Sequence, residues 1–418
     1  MVAQSPGPTA PARASIPIRS VDRRRPVQPP LSLYVHIPWC VRKCPYCDFN
    51  SHAIDAGAGL PEDDYLQALC ADLESALPLV WGRTVHSIFI GGGTPSLLSG
   101  RAVDRLLSDL RARLPLAADC EITLEANPGT YEAGRYADFR RAGVNRLSIG
   151  VQSFADEKLH ALGRVHDGAQ ARRAIEAASR VFDNFNLDLM IGLPGQSVQD
   201  VRQDVQQALA FAPPHLSVYQ LTLEPNTVFH KFPPELPEEG VLEQIQQEAE
   251  QLVAEAGYEH YEISAHCRTG RAARHNLNYW SFGDYLGIGA GAHGKLSLPE
   301  RIVRQERARM PASYLEQAAL GRFVASERAL TAADLVFEFM LNALRLRGGF
   351  EEALFTERTG LTPGALAPGL AQAQARGLVE RSGTRICPTA LGLRFLNDLQ
   401  AMFLVDSDPP RSAGQKSP

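Results

Sequence analysis

The sequence has no apolar run long enough to span a bilayer and no apolar leader core near its start, so neither membrane insertion nor export is expected. It also lacks a charge excess: 42 basic against 47 acidic residues leaves a net charge of −5. That gives no handle for nucleic acid or for an acidic membrane surface. Cysteine is scarce and odd in number, seven in 418 residues. Three cysteines crowd one loop, while Cys70, Cys120, Cys267 and Cys387 are scattered. This argues against a secreted disulfide framework and for a reducing, cytoplasmic setting. A second C-x2-C pair, usual in a four-ligand structural zinc site, is missing as well. The rest is ordinary: 44% hydrophobic and 21% charged residues suffice for a large core and a smaller second unit.

Against that background stands Leu31 to Asn50, LSLYVHIPWCVRKCPYCDFN. Leu31, Leu33, Val35 and Ile37 recur with the period of a strand. Pro38 stops it, and Cys40, Cys44 and Cys47 follow. Thiolates at this C-x3-C-x2-C spacing can hold three corners of an iron–sulfur cube. The fourth iron then lacks a protein ligand and is free to take a small molecule. Zinc and buried free thiols are the competing readings.

From residue 31 the chain alternates strand and helix patterns. Strands are expected at 31–37, 86–90, 121–125, 146–151, 186–191 and 215–223. Helices are expected at 62–77, 100–114, 132–142, 169–182, 198–211 and 241–256. Such alternation predicts an α/β fold with a parallel sheet and right-handed crossovers. Six units fill 31–257 and the pattern fades beyond, so an open partial (β/α)6 TIM-like barrel is expected, with a further edge strand at 260–265.

Parallel sheets place chemistry at the carboxyl ends of their strands. There the sequence puts the cysteines, then Gly91-Gly92-Gly93-Thr94-Pro95, Glu125, Asn127, Gln152, Asp188 and Tyr219. The glycines permit close backbone approach to a ligand, although a tight turn alone explains them equally. Glu125 on an apolar strand needs a partner, an ammonium or ribose hydroxyls, unless it reaches the surface. Arg164 has the donor fork to neutralise a carboxylate.

C-x3-C-x2-C with Tyr46 before the last cysteine resembles the radical S-adenosylmethionine (SAM) superfamily. The wider run of Tyr34-Val35-His36-Ile37-Pro38 and Cys44-Pro45-Tyr46-Cys47-Asp48-Phe49 resembles its branch of oxygen-independent coproporphyrinogen III oxidases and HemW heme chaperones. The resemblance to the HemW family spans about 29–404. It implies a [4Fe–4S] cluster on Cys40, Cys44 and Cys47. It places SAM contacts at Tyr34, Gly92, Gly93, Thr94, Glu125, Gln152, Arg164 and Asp188. Tyr46 and Phe49 flank the last cysteine and can wall off the adenine. The run His275-Asn276-Leu277-Asn278-Tyr279-Trp280 is similar to the heme-binding signature of the family. That implies His275 as iron ligand, with Asn276, Tyr279 and Trp280 shaping the site. On residues alone this run is a packed loop, and His293 is a second candidate ligand.

The implied function is a heme chaperone that binds the cluster, SAM and one heme and passes heme to acceptor apoproteins, with an electron donor as a further partner. The alternative is an oxygen-independent coproporphyrinogen III oxidase, or another radical SAM enzyme acting on a tetrapyrrole. Phe49 stands where the oxidase motif has a fourth cysteine, which favours a chaperone without oxidase activity. Whether SAM is cleaved, and whether the chain dimerises, stay open.

The expected domain plan is a disordered tail over 1–30 with the basic knot Arg23-Arg24-Arg25, then the partial barrel over 31–257. The signature loop and an irregular linker at 299–315 occupy 258–315. A helical, winged-helix-like domain covers 316–404, and a disordered tail 405–418. The C-terminal region shows no basic recognition helix, so it reads as a packing or partner domain.

Overall fold

The structure, a computed structural model, describes residues 28–54, 59–129 and 132–404; the tail readings for 1–27 and 405–418 lie outside the described residues. Six strands stand close to where the alternation puts them: β1 Leu31–Ile37, β2 Val85–Gly92, β3 Leu116–Ala126, β4 Arg146–Gln152, β5 Phe185–Ile191 and β6 His215–Gln220. Between and after them run α1 Glu62–Val80, α2 Gly100–Arg113, α3 Glu132–Ala142, α4 Gly168–Val181, α5 Val198–Ala210 and α6 Glu239–Glu255. β1 to β6 pair in order and all in parallel. Capping boxes fix the starts of α4 (Asp167 with Gln170) and α5 (Ser197 with Asp200). Outward apolar residues such as Leu33, Ile88, Leu124 and Leu147 pack with the helices into one continuous core.

The expected edge strand is a pair, β7 Glu259–Glu262 and β8 Ala265–Cys267, with β8 antiparallel to β6. The helix α7, Arg274–Trp280, follows. On the far side the sheet continues where a loop was expected. β9 Asp284–Ile288 lies parallel to β1, with Leu33 opposite Leu286. β10 His293–Ser297, β11 Ile302–Arg307 and β12 Val324–Ala329 extend it antiparallel. The parallel core therefore has a seventh strand. The linker expected at 299–315 is instead mostly strand β11 and the helix Pro311–Ala319. Glycines obscured this, because they weaken a strand pattern. In the fold they are required: a Cβ on Gly287 would lie 2.0 Å from the His293 carbonyl oxygen. The sheet order begins at β12 and ends at β7, so the barrel is open among the described residues.

Asp284 anchors the extra strand. It is 0% exposed and accepts from Arg83 at 2.8 Å, from Lys295 Nζ at 3.0 Å and from the Ser297 N–H at 2.8 Å. Burial lowers the Lys295 pKa to about 8 against the pull of Asp284. Asp284→Ala strands two buried cations, and we expect it to cost about 3–5 kcal/mol, read by urea denaturation. A loss under ~1 kcal/mol would show that the cluster is not a structural anchor.

Beyond β12, α8 Ala332–Ala343 starts on a Thr331–Asp334 capping box. It packs with later helices around Phe339, Phe355, Leu366 and Leu399. The expected hairpin is present, Val379–Ser382 against Arg385–Pro388, and Phe350–Glu351 adds a third strand. Phe282, next to α7, belongs to this second core, so the C-terminal unit is seated on the signature turn.

Candidate functional site

The short strand Trp39–Cys40 pairs in parallel with His52–Ala53, which closes the cysteine-bearing segment into a loop. The glycine run is stapled to its base: Gly93 N–H donates to the Ile37 carbonyl and Thr94 N–H to that of Trp39, each at 2.7 Å. Only glycine allows this approach. Gly92 has φ 114°, and a Cβ on Gly93 would sit 2.5 Å from the Trp39 carbonyl oxygen.

Cys40, Cys44 and Cys47 line one cavity of about 150 Å³. A polar group stands by each sulfur: Thr94 Oγ1 at 3.4 Å from Cys40, an Arg164 nitrogen at 3.8 Å from Cys44 and Ser51 Oγ at 3.7 Å from Cys47. Burial raises the pKa of the Cys40 and Cys47 thiols. Among the described residues no three His, Cys, Asp or Glu side chains are close enough to share one metal ion. A cubane spreads three thiolates over three irons, which suits three sulfurs lining a common space.

Gly92, Gly93, Thr94, Glu125, Gln152, Arg164 and Asp188 line the same cavity, with Tyr46 and Phe49. Glu125 is half-buried by area and lines this cavity, and its Oε2 accepts the Gly92 N–H at 3.1 Å. Burial and the neighbouring Asp188 push its pKa up to about 8. Burial also raises Asp188, against donation from Asn186 at 2.7 Å. Two reluctant carboxylates facing one space are a seat for a cation. Opposite them, Arg164 donates to the Gly150 carbonyl at 2.8 Å and to Asn127 Oδ1 at 3.1 Å, and its buried Nε has no partner among the described residues. Gln152 ends β4 in the left-handed region (φ 67°) and accepts from the Tyr219 hydroxyl at 2.7 Å. Such strain in a non-glycine residue is held by its surroundings and marks functional sites.

Tyr34 falls outside this cavity. Its ring stacks on Phe89 at 6.1 Å, its hydroxyl meets His36 Nδ1 at 2.8 Å, and it lines a second cavity of about 510 Å³. Phe49, 62% exposed, lines both. The second cavity lies between the cysteine loop, β9–β11 and α8, and is walled by Tyr34, Phe49, Tyr279, Trp280 and Tyr285.

The signature turn is divided by this geometry. Tyr279 and Trp280 line the second cavity; His275 and Asn276 do not. His275 is 6% exposed, its ring lies 4.2 Å from Phe89, and its Nδ1 is 3.5 Å from Glu121 Oε1. Burial lowers its pKa, against the influence of Glu121. Asn276 donates to the Tyr261 hydroxyl at 3.1 Å, which in turn meets His215 Nε2 at 2.9 Å. The expectation that His275 offers iron an open nitrogen thus meets a buried ring. The four residues span more than one turn of α7, so the division runs along the helix axis: His275 and Tyr279 share a face one turn apart, their rings 6.2 Å from each other, and the later turn reaches the cavity.

Asn50 was not singled out from sequence. Its Nδ2 donates to the carbonyls of Ala290 at 3.0 Å and Arg309 at 2.8 Å, tying the cysteine loop to the second cavity. Asn127 and Tyr219 read only as polar rim residues, and prove to hold Arg164 and Gln152. Polar residues at strand ends were the available signal for these two; nothing local links Asn50 to a partner 259 positions away.

The Radical SAM superfamily model matches residues 34–208, and the HemN C-terminal domain model matches 330–395. Heme chaperone HemW of Escherichia coli is 51% identical over 380 residues, covering 90% of this chain and 99% of that protein. HemW of Haemophilus influenzae is 44% identical over 91% of this chain and 100% of its own, and HemW of Bacillus subtilis 34% over 89% and 99%. Among solved structures, coproporphyrinogen III oxidase (HemN) from E. coli, described as a radical SAM enzyme, aligns with TM-score 0.77 and 25% identity over 90% of each chain.

Proposed function

The chain belongs to the HemW heme-chaperone family of the radical SAM superfamily, and from that premise we propose that it binds one heme and hands it to heme-accepting apoproteins. The observation that carries the cofactor part is the convergence of three free cysteines, a glycine rim, two raised carboxylates and one arginine on a single cavity. Cys40, Cys44 and Cys47 would hold a [4Fe–4S] cluster. The same cavity would take SAM: Glu125 and Asp188 answer its positive charge, Arg164 its carboxylate, and Gly92 and Gly93 offer backbone. Tyr46 and Phe49 exclude water. When bound, a reduced cluster beside SAM would supply one-electron chemistry, and an electron donor would then be a further partner.

Tyr279 and Trp280 would shape the heme site, while His275 and Asn276 fix α7 to the barrel. Three non-helical residues separate α7 from β9, so this placement follows the sheet closely. Phe49, in place of a fourth cysteine, favours the chaperone over the oxidase. The test is anaerobic reconstitution, heme titration, and transfer to apomyoglobin as reporter. Heme binding and transfer are expected, with no protoporphyrinogen IX formed from coproporphyrinogen III. Turnover of coproporphyrinogen III would replace this reading with the oxidase.

A further inference from the structure

We propose that a one-way chain of hydrogen bonds through the barrel interior joins Asp188 in the cysteine cavity to Asn276 on α7, and that SAM binding reaches the second cavity along it; this rests on the SAM part of the reading above. Four links make the chain. Asn186 Nδ2 donates to Asp188 Oδ1 at 2.7 Å, and His215 Nδ1 meets Asn186 Oδ1 at 2.6 Å. The Tyr261 hydroxyl meets His215 Nε2 at 2.9 Å, and Asn276 Nδ2 donates to that hydroxyl at 3.1 Å. The links cross β5, β6 and β7, and Asn186 and His215 are only 2% and 1% exposed, which shields them from competing water.

Chemistry fixes the direction. An ionised carboxylate only accepts, so Asn186 turns its amide nitrogen to Asp188 and its oxygen to His215. His215 then carries its proton on Nδ1 and accepts at Nε2. Tyr261 donates its single proton there, which leaves its oxygen to accept from Asn276. Burial and the nearby Arg146 guanidinium hold the His215 pKa well below the usual histidine range, so the ring keeps one proton and one lone pair.

A protonated Asp188 reverses every link. Its O–H donates to Asn186, both amides turn over, the His215 proton sits on Nε2, and Tyr261 donates to Asn276. Passing from this state to the ionised one releases one proton, from Asp188 to the cavity. The hydroxyls of Ser148, 3.3 Å from Asp188, and of Ser217, 3.0 Å from Asn186, rotate to serve either direction. Burial raises the Asp188 pKa, and the sulfonium of SAM favours the ionised form. The chain is thus a two-state element that cofactor charge biases. Its far end, Asn276, lies one turn before Tyr279 and Trp280, the α7 rings on the second cavity. Asn186, His215 and Tyr261 are positioning residues: each acts through the next, and none of the three lines either cavity.

The test is amide hydrogen exchange across 274–280 in the full chain reconstituted with its cluster. The protein is saturated either with SAM or with S-adenosylhomocysteine, which lacks the positive charge. In the parent, exchange should be about fivefold slower or more with SAM than with S-adenosylhomocysteine. In Tyr261→Phe, which cuts the chain at its middle, the two ligands should give equal exchange although SAM still binds by isothermal titration. Asn276→Ala cuts the outer end and should give the same loss, which keeps the test decisive if Tyr261→Phe fails to fold. A merely structural tyrosine would speed exchange alike with both ligands and preserve their ratio. Equal exchange with the two ligands in the parent, or an undiminished ratio in either variant, overturns the coupling and leaves SAM binding standing. No SAM binding by the reconstituted parent overturns the SAM reading and this inference together.

Discussion

Cys40→Ala, Cys44→Ala and Cys47→Ala should each abolish the broad visible charge-transfer absorbance of the reconstituted protein and most of its iron. The three cysteines stand on one cavity and each would hold a different corner, so two cannot substitute for three. Cys70, Cys120, Cys267 and Cys387 lie elsewhere in the fold, and their serine variants should reconstitute like the parent. Ligation requires thiolates, and burial raises the Cys40 and Cys47 pKa. Reconstitution should therefore improve as pH rises. Iron content equal to wild type in any single alanine variant would remove that cysteine from the ligand set. Thr94→Val gives a finer readout: it deletes the donor 3.4 Å from Cys40, and the cluster potential should fall while iron content holds.

Glu125→Gln should weaken SAM binding and yet stabilise the unliganded fold at alkaline pH. In the free protein Glu125 keeps its proton up to about pH 8. An arriving cation removes that proton, so SAM affinity should rise with pH through this range. Losing a charged hydrogen bond costs about 1.5–3 kcal/mol, roughly ten- to a hundredfold in Kd. The stability effect has the opposite sign. Unfolded, the carboxyl releases its proton near its ordinary value of 4.5, but folded only near about 8. Between those values the unfolded chain holds fewer protons, so wild-type stability falls as pH rises. Glutamine removes that slope. Isothermal titration at several pH values and denaturant midpoints across the same range check both halves. Unchanged SAM affinity, or a pH–stability slope identical to the parent's, would show that Glu125 is not the cation seat.

The thiol spacing, the six strand–helix units and most of the cavity rim could be read from the sequence, because each is a local or periodic signal. Cysteine spacing is set within one loop, and a strand declares itself over a few residues. The carboxyl ends of parallel strands then converge by topology, which gathered Glu125, Gln152 and Asp188 as expected. What escaped was non-local. β9 is a strand because β1 offers it an edge, and its own glycine-rich sequence gives no such hint. The left-handed turn at Gln152 is held by partners, not by residue type.

Sequence by itself marked the candidate cofactor loop, since three thiols four and three positions apart must lie near one another whatever the rest of the fold does. Tertiary structure alone decided where each ring of the signature points. His275 and Trp280 lie five positions apart, yet one is buried against Phe89 and the other lines the second cavity. The physical reason is that side-chain direction follows helix phase and strand register, and register is set by pairings such as β1 with β9 that join residues about 250 positions apart.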